Sequence, residues 1–170
     1  PPAVALPALH SRAAPDPPLL FGYGASSDAH HMSSPHPQGL GARLAIGAAL
    51  DRAGLDAADV DYVNLHGTAT SKNDAVEAAL IAELFPASTR ASSTKAWTGH
   101  TLGAAGIIEA IVALIAMRVG IAPGCLGAEQ PDPVCGPQLR LRNEACEIGI
   151  ALSDAFAFGG NNCVLPVNRT

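Results

Sequence analysis

Charge is the first thing this chain is short of: Asp, Glu, Lys and Arg make only 15% of its 170 residues, and the net charge is -5. No basic run occurs, which excludes nucleic acid as the main partner, since phosphate binding needs clustered Lys and Arg. Cysteine is scarce as well. Cys125, Cys135, Cys146 and Cys163 are too few for a disulfide scaffold and lack the close pairs of a zinc site, so reduced thiols in a cytoplasmic protein are expected. The opening P-P-A-V-A-L-P-A-L-H-S-R has prolines where a signal peptide needs an apolar helix, so export is not expected. Residues 1–18 read as a Pro/Ala-rich linker or disordered lead, because prolines recur too often for a helix. G-Y-G-A-S-S at 22–27 lacks the third glycine of a dinucleotide fingerprint and argues nothing for NAD.

What is there instead is apolar. Hydrophobic residues make 48% of the chain, enough for a real core in one domain, and the charge deficit implies that much of the surface is covered by neighbours. Residues 102–119 are almost wholly apolar and long enough to suggest a membrane span. Glu109 lies in the middle, however, and a carboxylate in hydrocarbon costs roughly 2.5–3.5 kcal/mol. Gly103 and Gly106 suit close packing against protein. A helix buried on all sides in a layered domain, with no membrane contact, is the expectation.

The remaining elements follow from periodicity and punctuation. Residues 19–24 read as a short strand, 25–39 as a polar loop, and 40–53 as a helix with apolar Leu44, Ile46 and Leu50, stopped by Gly54. His30, His31 and His36 in the loop have no carboxylate-rich or cysteine-rich company, so no metal site is expected. V-D-Y-V-N-L at 60–65 alternates like a strand. A helix is expected over 73–84, with Asp74 and Glu77 explained by the dipole of its first turn. Strands are expected at 90–94, near Ile121, at 147–152 and at 162–167. The alternation of strand and helix predicts an α/β layered fold with a mixed sheet.

Chemistry concentrates between residues 63 and 109. His66 and His100 each sit beside a glycine where an extended run ends, and Lys95 lies shortly before the second. The end of the 60–65 strand is where sites in α/β sheets tend to lie.

H-G-T-A-T at 66–70, S-T-K at 93–95, T-G-H-T-L-G-A-A-G at 98–106 and F-A-F-G-G-N-N at 156–162 occur in that order. With S-D-A-H-H-M-S at 27–33, they resemble the C-terminal half of β-ketoacyl-acyl-carrier-protein synthases, condensing enzymes of the thiolase-like superfamily. The resemblance runs from residue 19 to the end, so 19–170 is expected to be one such C-terminal domain. It implies a thiolase-like layered fold and a decarboxylative Claisen condensation of malonyl-acyl carrier protein with an acyl thioester, in fatty-acid or polyketide and polyene synthesis.

By this resemblance His66 and His100 donate hydrogen bonds to the malonyl thioester oxygen as enolate charge develops. Lys95 is the active-site lysine and Glu109 the glutamate linked to it, which also answers why a carboxylate interrupts an apolar helix. Thr68 and Thr70 bond the phosphopantetheine arm, although both also suit helix caps, and Asp74 and Glu77 match acidic positions of the same motif, although dipole and solvent explain them nearly as well. Ser33 faces the same arm, and Phe158 gates the acyl pocket. No cofactor is implied beyond the phosphopantetheine that arrives on the acyl carrier protein.

The departures from the pattern matter as much. The nucleophilic cysteine of such enzymes stands in a short turn before a helix in the N-terminal half, and none of the four cysteines has that setting. The expectation is half an enzyme, completed by an N-terminal half or complementary chain, as a homo- or heterodimer. Ala69 and Ala157 stand where glycine is commoner and Asn161 where threonine is frequent, which is tolerable if the backbone does not need positive φ. The alternative reading is a non-catalytic, chain-length-factor-like partner, against which both histidines speak. A thiolase is a poor third, because it would carry an acid/base cysteine in place of Phe158.

Overall fold

The computed structural model describes residues 4–5 and 19–168. The expected linker at 1–18 lies outside them, except for Val4–Ala5, which forms β1 against β2 (Leu19–Leu20). The chain continues through β3 (Gly24–Ser27), α1 (Leu40–Ala53), β4 (Tyr62–Asn64), α2 (Ser71–Leu84) and β5 (Arg90–Ser92). Then come the single turn α3 (Lys95–Thr98), α4 (Ala105–Val119), β6 (Ile121–Ala122), β7 (Glu144–Ala145), β8 (Ile150–Ala157) and β9 (Asn161–Asn168).

The sheet is mixed, as expected, with seven strands in the order β1-β2-β9-β8-β4-β5, β3 also pairing β9. β4 runs parallel to both β5 and β8, whereas β8 and β9 form an antiparallel hairpin. β8 extends further than the sequence suggested, so Phe156 and Ala157 belong to the strand and the turn begins at Phe158. Pro166 lies inside β9 without harm. The β9 registers with β2 (Leu20 opposite Val167) and β3 (Gly24 opposite Val164) differ by one residue, which makes 21–23 a bulge where a missing N–H costs little.

α1 and α2 cover one face of the sheet, where Ile46, Leu50, Leu80 and Ile81 pack on Val63, Leu152 and Val164. Leu44, expected with the apolar side of α1, points to solvent. α1 meets β3 through small residues: a Cβ on Gly24 would lie 1.7 Å from the Ala45 carbonyl oxygen, so only glycine fits the crossing. α4 covers the other face, with Ala113, Ala116 and Met117 on Tyr62, Ala151 and Val167.

The expected all-round burial of α4 is corrected by the structure. Ala105, Glu109, Ala110, Ala113, Ala116 and Met117 are buried, but Ile107, Ile111 and Ile115 are open to solvent, one above another at every fourth position. One face of the helix has a sheet to pack on. Among the described residues nothing covers the other.

Candidate active site

β4 and β5 are parallel neighbours, so their C-terminal ends open side by side, and β4 delivers His66 while β5 leads to Lys95. His66 is buried and its imidazole is 5.6 Å from that of His100, ring centre to ring centre and nearly perpendicular. Lys95 is buried too. Its Nζ lies 3.3 Å from His66 Nδ1 and forms an ion pair with Glu109 from α4. The structure therefore gathers all four residues proposed for catalysis into one cluster.

The arrangement sets the protons. An ammonium donates to Nδ1 of His66, which leaves the imidazole proton on Nε2. The Leu102 amide approaches Nδ1 of His100 at 3.4 Å, which sets the same tautomer there. Burial first, then the charge of Lys95 and the neighbouring His100, holds the His66 pKa down to about 3. His66 is therefore neutral in ordinary conditions. Burial pushes the Glu109 carboxyl up against the hydrogen bond and charge of Lys95.

Glu77 is the residue the sequence misread. Instead of decorating the exposed start of α2, it is buried 3% exposed and accepts the backbone N–H groups of His66 (2.7 Å) and Gly67 (2.8 Å) on separate oxygens, with Asn73 Nδ2 at 3.1 Å. Burial raises its pKa to about 7 against these bonds. Asp74 does stand in the first turn of α2, where it also accepts the Thr68 amide at 3.1 Å. The resemblance marks Glu77 as an acidic position of the motif, but its reach back to a histidine eleven residues earlier depends on how α2 folds over β4.

Thr68 and Thr70 join hydroxyls at 2.9 Å, and Thr70 makes no side-chain cap on α2, so the capping alternative does not hold for it. Between them Ala69 takes φ 60, the left-handed region, where an L-residue costs about 1–2 kcal/mol. The proviso attached to Ala69 therefore fails, whereas Ala157 (φ -124) and Asn161 (φ -76) are unstrained.

Phe158 is 81% exposed on the turn after β8, while Phe156 packs 5.9 Å from the His66 ring. Asp28 holds this region together: its amide donates to Gly160, its carboxylate accepts Asn162 Nδ2 and the His36 amide, and the Gly159 amide donates to Met32. Ser33 lies on that loop, exposed, with its polar atoms toward His31. Among the described residues Ser33 makes no bond to the threonine pair.

No histidine, cysteine and carboxylate grouping capable of holding a metal occurs among the described residues. Cys125, Cys135 and Cys163 all have pKa values raised by burial, the opposite of an activated nucleophile.

A mixed sheet with helices on both faces, carrying two neighbouring imidazoles beside a buried lysine–glutamate pair, is an arrangement of the thiolase-like class. The chain belongs to the beta-ketoacyl synthase family: residues 19–129 match the model of the beta-ketoacyl synthase C-terminal domain. It is 42% identical over 153 residues to the mitochondrial 3-oxoacyl-[acyl-carrier-protein] synthase of Arabidopsis thaliana, covering 86% of this chain and 33% of that one. With 3-oxoacyl-[acyl-carrier-protein] synthase 2 of Staphylococcus aureus strain COL it is 39% identical over 155 residues, 88% of this chain and 37% of the other. The solved ketosynthase (ApeO) in complex with its chain length factor (ApeC) from Xenorhabdus doucetiae superposes with a TM-score of 0.86 at 42% identity, over 92% of this chain and 40% of that chain. The chain thus spans well under half the length of these relatives.

Proposed function

We propose that this chain is the histidine-bearing part of a β-ketoacyl-acyl-carrier-protein synthase, and that the nucleophilic cysteine comes from polypeptide outside it. The observation that carries the reading is the pair of imidazoles 5.6 Å apart beside the Lys95–Glu109 pair, each ring with Nδ1 turned to a protein nitrogen, which leaves Nε2 to donate. Two imidazole N–H donors directed at one thioester oxygen would stabilise the enolate formed as malonyl-carrier protein loses carbon dioxide. The carbanion then attacks the carbonyl carbon of the acyl thioester on that cysteine, forming the new C–C bond as the C–S bond breaks and the cysteine leaves as thiolate.

In this reading Lys95 holds the tautomer of His66, and Glu109 supplies the countercharge that lets an ammonium stay buried. Thr68 and Thr70 offer hydroxyls to the amides of the phosphopantetheine arm, Ser33 lies on the loop beside it, and Phe158 stands at the acyl side. The partners are an acyl carrier protein and the nucleophile-bearing polypeptide, whose packing would cover Ile107, Ile111 and Ile115 of α4 in a cytoplasmic homo- or heterodimer.

The test is carbon dioxide release from malonyl-carrier protein by the purified protein, with an intact-mass measurement of everything that travels with it. The expected result is decarboxylation dependent on a second stretch of polypeptide carrying a reactive cysteine. Stoichiometric acylation of Cys163, or of any other cysteine in this chain, would overturn the proposal.

A further inference from the structure

The turns that carry His66 and Lys95 leave neighbouring strands, and one hydroxyl stands between them. Ser93 Oγ donates to the Gly67 carbonyl at 2.8 Å and lies 3.4 Å from the Lys95 amide nitrogen. The fit is close: a Cβ added to Gly67, whose φ is +37, would lie 2.4 Å from Ser93 Cβ. The Ser93 amide in turn points at Cys125 Sγ, 3.4 Å away, on the excursion that follows β6. A hydroxyl can donate and accept at once, which a methyl or a thioether cannot. Three segments distant in sequence therefore meet at a single small residue.

The Lys95 side chain reaches His66 Nδ1 and Glu109 from a backbone position that Ser93 helps to hold. Moving that position changes the ammonium-to-imidazole spacing, and a displacement of about 1 Å at a site can cost about a hundredfold in rate.

We propose that Ser93 is a positioning residue for the decarboxylation: its hydroxyl sets the spacing between the turn bearing His66 and the turn bearing Lys95, and Cys125 braces it from behind. The inference rests on the function proposed above, and its test separates the two. In the complete enzyme, Ser93→Ala lowers kcat for malonyl-carrier protein decarboxylation at least about tenfold while KM stays within about twofold. Ser93→Thr, which keeps the hydroxyl, retains most of the rate, and Cys125→Val loses a few-fold.

The second readout needs no activity. Titration of the His66 imidazole by NMR, held low first by burial and then by the charge of Lys95, shifts measurably upward in Ser93→Ala as the ammonium recedes, and stays below the ordinary histidine range because the burial remains. Wild-type kcat with an unmoved His66 midpoint in Ser93→Ala overturns the proposal, as does equal damage from Ser93→Thr. A wild type that does not decarboxylate sinks the functional reading instead. The His66 midpoint then decides the role of Ser93 by itself, with Cys125→Val as the variant to titrate should Ser93→Ala fail to fold.

Discussion

In the proposed function the two histidines share a task, but they are built in opposite ways. His66 follows an interior strand flanked by β8 and β5, its backbone N–H is held by Glu77, and its ring is pinned between Lys95 and Phe156. His100 stands on an exposed turn beyond α3, where the Leu102 amide is its hydrogen-bond partner among the described residues and Leu102 itself takes φ 53. A preorganised donor pair needs both rings fixed before charge develops. This chain fixes one and leaves the other to whatever packs against the exposed turn.

The largest expected effect tests that contrast directly. His66→Ala and His100→Ala each cut decarboxylation by at least about a hundredfold, but only His66→Ala lowers the urea midpoint, because only it removes packed, bonded structure. Equal destabilisation by both variants would break the comparison.

Asp154 comes next. Strand alternation sets it on the same face of β8 as Leu152 and Phe156, fully buried, with neither carboxyl oxygen bonded. Burial, then the carboxylates of Glu77 and Glu109, raises its pKa well above the ordinary 3.8. Folding thus favours the protonated acid: the associated stability is complete below that ordinary value and is lost as pH rises through the raised one. Asp154→Asn is expected to gain roughly 1–3 kcal/mol near pH 8 and little near pH 4. An equal gain at both, measured by urea unfolding, would show that Asp154 is not an unpaired acid.

The smallest effect is a matter of profile. The contribution of Glu77 is full below its ordinary 4.5 and lost as pH rises through about 7. That of His66 is full above its ordinary 6.5 and lost as pH falls through about 3. Between 4.5 and 6.5 the two oppose each other, and stability changes little with pH from this pair. In an Asp154→Asn background, Glu77→Gln removes one side, so stability climbs more steeply across that interval. An unchanged slope in a urea series would refute the assignment.

These residues also show where reading the chain succeeded. The strand at β4, the helix after it, and the grouping of His66, His100, Lys95 and Glu109 were legible, because alternation marks the strand and the motif order marks the cluster. In the sequence Glu77 is an acidic position of the motif that the dipole of α2 explains as well, and Ser93 is only part of S-T-K, since a hydrogen bond made across many residues leaves no local pattern. Nothing in the sequence around Asp154 marks it as unpaired. Whether a carboxyl in a strand has a partner depends on which face it shares and on what lies opposite.

Composition and motif spacing by themselves determined the family, the layered α/β class and the identity of the polar cluster, because those follow from residue types in a given order. The tertiary structure alone decided that α4 keeps an open apolar face, that Ala69 carries left-handed strain, and that His66 is neutral with its proton on Nε2. Each of these depends on which groups are brought within a few ångströms, and distance in space is not written in distance along the chain.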